Sequence, residues 1–329
     1  MSKKPVPVSP AKPPAVQSGT PSIALALGGG GARGLAHIPI LEAFDELGLR
    51  PKVIAGTSIG AVFAAAYASG LSGKQIRTHA YEVLKKRLDL VRDLYAARVR
   101  MSGGGLFSAL TPRPAFVSPE RFLDAILPAR VARDFAHLSI PLKIVTSDFY
   151  AQEAVVIASG PLRRAVAASM ALPVIFHPVE VEGRVLIDGG LVNPLPFDLV
   201  ASEADLTVAV DVSGAPTRRA EHATPKAWET LFASHFIFER TIIREKLRHR
   251  HPDLYIDAGT SRFQILDFLK VEEILAAAEP AKERAKAALT RMLEAETLRP
   301  LEHAEPAKEL PSPRKFRRPL LKRARADKR

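Results

Sequence analysis

Two short apolar runs that end in glycines, each followed by a helical pattern, most constrain how this chain can fold. The run Ile23–Leu27 (IALAL) is typical of a buried strand, and Leu35–Leu47 after it has helical spacing that stops at Gly48. Val53–Ala55 predicts a second strand, and Ala61–Ala68 predicts the helix that follows it. Strands that alternate with helices in this way indicate an α/β layered domain with a mostly parallel central sheet.

The alternation continues through most of the chain. Further strands are predicted at Ile140–Thr146, Ala154–Ala158, Val185–Ile187 and Leu206–Val212, and further helices at Leu162–Met170, 226–250 and 270–297. The segment 71–135 contains a glycine cluster and several prolines, so we expect a long loop or lid there.

The two ends of the chain differ in composition from the part between them. Residues 1–20 are rich in proline and lysine and 299–329 are rich in basic residues, so we predict that both are disordered and that the folded domain spans 21–298. Of the net charge of +12, the ends carry most. Basic ends favour an anionic partner, either phospholipid or nucleic acid, although a solvated tail that only aids solubility is an equal alternative.

Composition also excludes several kinds of chemistry. The chain has no cysteine, so disulfides, thiolate catalysis and cysteine-bound metal are excluded, and a reducing compartment is expected. No window of about 18 apolar residues predicts a membrane-spanning helix, and the basic N-terminus lacks the apolar core of a standard secretory signal. We therefore expect a cytoplasmic protein, with peripheral association at the inner membrane face as an extension suggested by the basic ends.

The glycine-rich stretch GGGGARG, from Gly28 to Gly34, lies between a strand and a helix. Glycines in this position expose successive backbone N–H groups, which with a helix N-terminus form an anion-binding cradle. The stretch lacks the Gly-Lys-Ser/Thr ending of a phosphate loop, and the next strand lacks the acidic residue of a dinucleotide site. A purely structural turn remains an alternative for this stretch.

The pentapeptide GTSIG, residues 56 to 60, has the strand–turn–helix context that a nucleophilic serine requires. Gly56 and Gly60 remove side chains that would collide in a sharp turn, so Ser58 can project its hydroxyl above the N-terminus of the next helix. The alternative is that Ser58 is only a polar residue in a glycine-containing loop.

A carboxylate at the end of a strand is the third candidate element. In VLIDGGLVNPLPFD the strand ends at Asp188, followed by Gly189 and Gly190. Active sites of α/β sheets assemble at strand ends, whereas the alternative reading is an Asx-turn in which Asp188 caps its own loop.

Taken together, the three elements supply what acyl transfer needs. Ser58 can attack a carbonyl, backbone amides between Gly29 and Arg33 can hold the oxyanion, and Asp188 can accept the serine proton. Of the nine histidines none has a setting that marks it as a third catalytic member. We expect His37 to pack or cap, and we consider His177 a possible supporting residue.

In this order, GGGGARGLAH, GTSIG and DGG resemble the patatin-like phospholipases, in particular their compact bacterial branch, and AASMALPVIFHPV resembles the stretch before the family's catalytic aspartate. The resemblance covers roughly residues 21–290. It departs at Pro39, where a smaller residue is expected, and at Asp148–Ala151, which lacks an expected glycine turn.

This resemblance implies a three-layer α/β/α fold and hydrolysis of acyl esters, usually of phospholipids or lysophospholipids, without metal or cofactor. It implies that Ser58 is the nucleophile and Asp188 the proton acceptor. The implied oxyanion loop consists of Gly29, Gly30, Gly31 and Arg33, and the supporting motif residues are Gly34, Gly56, Gly60, Gly189 and Gly190.

Two alternatives differ in class from this hydrolase. One is a non-catalytic regulator that uses the glycine loop as an anion site while its ends bind membrane or nucleic acid. No motif that reads nucleic acid is apparent, so we expect no nucleic-acid partner and take a lipid ester as the substrate. The other is a dinucleotide enzyme, which would have to bind NAD.

Overall fold

The computed structural model describes residues 20–86, 117–214 and 227–298. The predicted disordered ends therefore lie outside the described residues, apart from Thr20. Within the described part the strands are β1 Ile23–Leu27, β2 Val53–Thr57, β3 Leu142–Asp148, β4 Glu153–Ile157, β5 Val179–Val181, β6 Arg184–Asp188, β7 Leu206–Asp211 and β8 Leu254–Asp257. The α-helices are α1 His37–Glu46, α2 Ile59–Ala68, α3 Gly73–Lys86, α4 Pro119–Ile126, α5 Leu162–Ser169, α6 Ala227–His249 and α7 Val271–Leu298, and a 3-10 helix spans Gly31–Ala36.

The eight strands form one mixed sheet in the order β5-β6-β3-β2-β1-β7-β8, with β4 paired to β3 on the side away from β2. The five strands from β3 to β8 are parallel to one another. Strands β4, β5 and β6 add antiparallel pairs on one side. The predicted parallel centre of the sheet is confirmed. The alternation of strands and helices does not predict the antiparallel pairs on one side.

Helices cover both faces of the sheet because side chains alternate along each strand. Leu25 and Leu27 of β1 enter a core with α1, α2, α5 and α7. Ala24 and Ala26 face the other way and pack with Phe197 and with Ile243 of α6. With both faces covered, every residue of β1 is buried, as expected for a strand in the middle of a parallel sheet. The predicted three-layer α/β/α architecture is therefore confirmed.

The prediction of a long loop or lid over 71–135 is wrong for two parts of that segment and falls outside the described residues for 87–116. Helix α3 begins with a reciprocal cap in which Ser72 Oγ accepts from Gln75 N and Gln75 Oε1 accepts from Ser72 N. Helix α4 begins at Pro119 after Ser118, whose hydroxyl accepts from Arg121 N. Both start signals are local, whereas the prediction of a loop or lid was based on the glycine cluster and the prolines of the segment.

The turn between β3 and β4 explains how the chain does without the expected glycine. Asp148 Oδ1 accepts from the backbone N–H groups of Tyr150 and Ala151 at 3.0 Å each. The left-handed position is filled by Gln152, with φ 57°. Pro39, the other departure from the family pattern, lies in the first turn of α1, where no N–H is needed.

Candidate active site

Strand β3 brings Ser58 and Asp188 together although 130 positions separate them in the chain. The last residue of β2, Thr57, pairs with Val145 of β3, and the last residue of β6, Asp188, pairs with the adjacent Thr146. Because β6 runs antiparallel to β3, on the same side as β2, the carboxyl ends of β2 and β6 meet end to end. The residue that follows β2 therefore faces the residue that ends β6.

Ser58 occupies a strained turn at the start of α2. Its backbone has φ 54° and ψ −123°, a conformation that non-glycine residues rarely adopt. The turn approaches β1 so closely that a Cβ on Gly60 would lie 2.2 Å from the carbonyl oxygen of Leu27. This is the geometry that the GTSIG motif predicted.

Ser169 holds this turn in place and was missed by the sequence analysis. The backbone N–H of Ser58 donates to Ser169 Oγ at 2.8 Å, and Ser169 Oγ donates to the carbonyl of Val145 at 2.6 Å. Ser169 lies fully buried at the end of α5, within the AASMALP stretch. A lone serine in a short amphipathic helix carries no local signal for such a role.

The two oxygens of Asp188 have different partners. Oδ2 accepts from Ser58 Oγ at 2.6 Å, and Oδ1 accepts from the N–H of Gly190 at 2.7 Å. Its backbone is also fixed, since the N–H donates to Ala171 and the carbonyl accepts from Ser147 Oγ at 2.7 Å. Asp188 thus makes the Asx-turn considered above with one oxygen and faces Ser58 with the other.

Burial raises the pKa of Asp188 to about 6. The positive charge of His235 and the hydrogen bonds from Ser58 and Gly190 act in the opposite direction, whereas the nearby Glu239 raises the pKa further. Asp188 is therefore mainly ionised at neutral pH while being a stronger base than an ordinary aspartate.

Two residues of the glycine loop line the same cavity as Ser58. Gly30 and Gly31 line that cavity, and they lie at the start of the 3-10 helix, where the first amides have no acceptor within the helix. The N–H of Gly29, by contrast, donates to the carbonyl of Pro194 at 2.9 Å. Of the predicted oxyanion glycines, Gly30 and Gly31 are thus the ones placed toward the cavity.

Arg33 contributes to this loop through its side chain. The guanidinium is buried, its Nε donates to the carbonyl of Gly30 at 3.2 Å, and it stacks over Phe236 at 4.7 Å. Burial lowers the pKa of Arg33 to about 10, so it stays charged. In a trans peptide the N–H of Gly31 points away from the carbonyl of Gly30, so holding that carbonyl also fixes the direction of the next amide.

The remaining predicted motif glycines lie at close contacts between elements. A Cβ would approach Ile59 at Gly34, Ala61 at Gly56, Val145 at Gly189 and Glu239 at Gly190.

His235 and Glu239 of α6 are cavity residues that the sequence analysis did not find. They line the cavity together with Ser58 and Asp188, and His235 Nε2 lies 3.1 Å from Glu239 Oε1. Burial favours the neutral ring, but Glu239 and Asp188 outweigh it and raise the pKa of His235. The other oxygen of Glu239, Oε2, is buried without a hydrogen-bond partner. The i, i+4 spacing in SHFIFER puts the two residues on one face of the helix, but it does not show that this face meets the sheet.

The other two histidines considered above do not reach the cavity. His37 Nε2 donates to the carbonyl of Gly28 at 2.9 Å, its ring contacts Phe63 edge-on, and burial lowers its pKa to about 4. It therefore packs as a neutral ring, as predicted. His177 is exposed and is not among the residues that line the cavity.

The whole cavity has a volume of about 60 Å³, and the remainder of its lining consists mainly of apolar side chains from α4, from the segment after α5 and from residues 265–268. Within the described ranges no cluster of three or more histidine or acidic residues is placed to hold a metal ion. No helix in those ranges is long and apolar enough to cross a bilayer. The arrangement combines a hydroxyl–carboxylate pair, two glycines at the start of a 3-10 helix and an apolar wall.

Known proteins resemble the chain over this same region. A family model described as patatin-like phospholipase matches residues 25–201. An uncharacterised NTE family protein of Mycobacterium tuberculosis is 36% identical over 215 residues, which are 64% of this chain and 55% of that protein. Human patatin-like phospholipase domain-containing protein 6 is 35% identical over 197 residues, 58% of this chain and 13% of that protein. The match thus spans about half of the mycobacterial protein.

Among solved structures, VipD from Legionella pneumophila aligns with a TM-score of 0.43 and 17% identity, covering 83% of this chain and 67% of the other.

Proposed function

This chain belongs to the patatin-like phospholipase family, and we propose that it is a serine hydrolase that cleaves acyl esters of lipids, as a phospholipase A or lysophospholipase does. The observation that carries the proposal is the hydrogen bond of 2.6 Å from Ser58 Oγ to Asp188 Oδ2 at the end of an apolar cavity. An apolar wall suits an acyl chain, and the hydroxyl–carboxylate pair suits attack on its ester.

In the acylation step, Ser58 Oγ attacks the ester carbonyl carbon while its proton passes to Asp188 Oδ2. The carbonyl oxygen becomes an oxyanion, which accepts hydrogen bonds from the amides of Gly30 and Gly31. When the tetrahedral intermediate collapses, the carbon–oxygen bond to the leaving alcohol breaks, and Asp188 returns the proton to that oxygen. The acyl group remains on Ser58.

In the deacylation step, water attacks the acyl-enzyme and gives a proton to Asp188. The same two amides bind the second oxyanion, and collapse of the intermediate releases the fatty acid and regenerates the Ser58 hydroxyl with the proton from Asp188. One carboxylate thus acts as base and acid in turn, which requires a pKa raised toward neutral pH.

The direct test compares Ser58→Ala and Asp188→Asn with the parent protein on a fluorogenic acyl ester and on phospholipid vesicles. Both variants should lose nearly all turnover, a fall in kcat of about 10⁴ or more as for other nucleophile–base units. Ser159→Ala and Asp124→Asn are matched controls at exposed positions and should keep it. Turnover unchanged in Ser58→Ala would refute the proposal, and tight binding of vesicles or DNA without hydrolysis would favour the regulator instead.

The basic ends are assigned to an anionic membrane surface. Residues 301–329 contain ten Lys or Arg against four acidic residues, and 1–20 contain three lysines and no acid. Attraction to anionic lipid contributes about 1 kcal/mol per basic residue near the surface. Removing 312–329 should weaken sedimentation with anionic vesicles, but not with neutral ones, and should spare turnover of a water-soluble ester. Equal binding to anionic vesicles before and after truncation would refute this role.

A further inference from the structure

We propose that the acyl chain being cleaved extends from Ser58 along α2 into a second cavity, so that the enzyme prefers medium and long acyl chains over short ones. This inference rests on the proposed hydrolase function and specifies its substrate. The second cavity has a volume of about 90 Å³. It is called the α2 chamber below.

The α2 chamber directly adjoins the cavity that holds Ser58 and Asp188. Four of the described residues line both: Ile59, Phe122, Ile126 and Phe268. Ile59 follows Ser58 in the chain, so the shared wall begins next to the nucleophile. An acyl group on Ser58 that passes these side chains enters the chamber.

One stripe of α2 forms a wall along the length of the chamber. Ile59, Val62, Phe63 and Ala66 all line it and follow the i, i+3, i+4, i+7 spacing of a single helix face. With a rise of about 1.5 Å per residue, this stripe extends roughly 10 Å from the Ser58 end of the helix. That length exceeds an acetyl or butyryl group.

The chemistry of the lining selects an acyl chain over a head group. Among the described residues that line the α2 chamber, His79 is the one with a polar side chain, and its Nε2 donates to the carbonyl of Ile126 at 2.8 Å. That hydrogen bond gives Nε2 of His79 a partner within the protein. It also links α3 to the end of α4, and these are the two helices opposite α2. None of the lining residues in the described part of the chain is charged, so a phosphate would lose its solvation against them without compensation.

Besides Asp188, the titratable side chains among the described residues that line the neighbouring cavity come from α6. His235 and Glu239 line it from α6, and neither of them lines the α2 chamber. A bound ester is therefore oriented with its acyl chain toward α2 and its leaving alcohol toward α6.

The test measures kcat/KM for acetyl, butyryl, octanoyl and dodecanoyl esters of one fluorogenic alcohol, each below its micelle concentration. In the parent protein kcat/KM should rise with chain length, by up to about fourfold per methylene buried. Ala66→Phe, which fills the far end of the chamber, should lower the ratio of dodecanoyl to acetyl kcat/KM by about tenfold or more. Ala80→Phe fills the chamber from the α3 side, and it replaces Ala66→Phe in the test if that variant does not fold. Ala151→Phe, an exposed position that lines neither cavity, is the matched control.

Two outcomes would overturn the inference while leaving the hydrolase function intact: no rise with chain length in the parent protein, or an unchanged ratio in Ala66→Phe and Ala80→Phe. Failure of the hydrolase function itself would show differently, as the absence of any turnover that depends on Ser58. In that case, binding of a fluorescent long-chain fatty acid tests whether the α2 chamber takes up an acyl chain. The Ser58→Ala protein should bind it, and adding Ala66→Phe should weaken binding by about tenfold; equal binding would refute the chamber.

Discussion

Glu239 faces Asp188 across the backbone of Gly190. A Cβ on Gly190 would lie 2.2 Å from Glu239 Oε1 and 3.1 Å from Asp188 Oδ1. Two buried carboxylates thus approach the same point, and His235 is the cation that contacts one of them. The electrostatics of the candidate site are consequently set by α6 as well as by the two motif residues.

Activity should depend on pH through Asp188. Only its ionised form can accept the Ser58 proton, and its pKa is about 6. We expect kcat/KM for an uncharged ester to rise with pH through about 6 and to level off above it. A profile over about pH 4.5 to 8 checks this expectation, and a rise centred near the pKa of an ordinary aspartate would contradict it.

Removing the cation should shift this profile. His235 is protonated near pH 6, because its pKa is raised, and its charge lowers the pKa of Asp188. His235→Gln removes a charge that lowers the pKa of Asp188 and keeps Glu239, which raises it, so the acidic limb should move to higher pH. The double variant His235→Gln/Glu239→Gln removes both charges and should move the limb back. Identical profiles in all three proteins would show that α6 does not act on Asp188.

Asp188→Asn should stabilise the folded protein while abolishing activity. A carboxyl pKa raised from 3.8 to about 6 means that the folded state binds the proton more tightly than the unfolded state. The ionised form therefore costs stability that is fully felt above about pH 6 and is absent below about pH 4, at most about 3 kcal/mol.

The measurement for this variant is thermal unfolding at two pH values. We expect the Tm of Asp188→Asn to exceed that of the parent protein by several degrees at neutral pH, and by less at acidic pH. A variant that is less stable at neutral pH would show that the hydrogen bonds of the carboxylate outweigh its burial.

Arg33 should matter for kcat more than for substrate binding. Arg33→Ala releases the carbonyl of Gly30 and with it the direction of the Gly31 amide. Losing one oxyanion donor outright costs about 10²–10³ in kcat, so a misdirected donor should cost about tenfold to a hundredfold, with KM little changed. Arg33→Lys keeps the charge without the planar guanidinium and should recover only part of the rate. A large rise in KM with normal kcat would contradict this assignment.

Ser169→Ala should loosen the turn that holds Ser58. The partly buried N–H of Ser58 would lose its acceptor, which costs about 1 kcal/mol. We expect a lower Tm together with reduced kcat, because the left-handed conformation of Ser58 loses a restraint. Ser159→Ala is the exposed control. A variant with parental Tm and kcat would show that Ser169 is dispensable.

The parts of the site that sequence reasoning could predict are those with local signals. Ser58 lies in a glycine-flanked turn between strand and helix, and Asp188 ends a strand before two glycines, so each is recognisable within about a dozen residues. His235 and Glu239 lie on a helix that the sequence predicted, but nothing local shows which face of α6 meets the sheet. Their position in the site depends on packing against residues that are distant in the chain, such as Asp188.

The same distinction applies to the fold. The apolar runs predicted β1, β2 and β7, which are buried on both faces and therefore read as continuous hydrophobic stretches. Strands β5 and β8 are short and partly exposed, so their apolar patterns are too weak to stand out. The antiparallel pairing of β6 with β3 follows from tertiary structure alone.

The end-to-end meeting of β2 and β6 on β3 also bears on refolding. Neither turn can produce a working hydroxyl–carboxylate pair by itself, because adjacent residues of a third strand supply the alignment. Recovery of hydrolysis after denaturation should therefore lag behind recovery of the helical circular dichroism signal. The time at which hydrolysis returns would then report when all three strands have reached their native register.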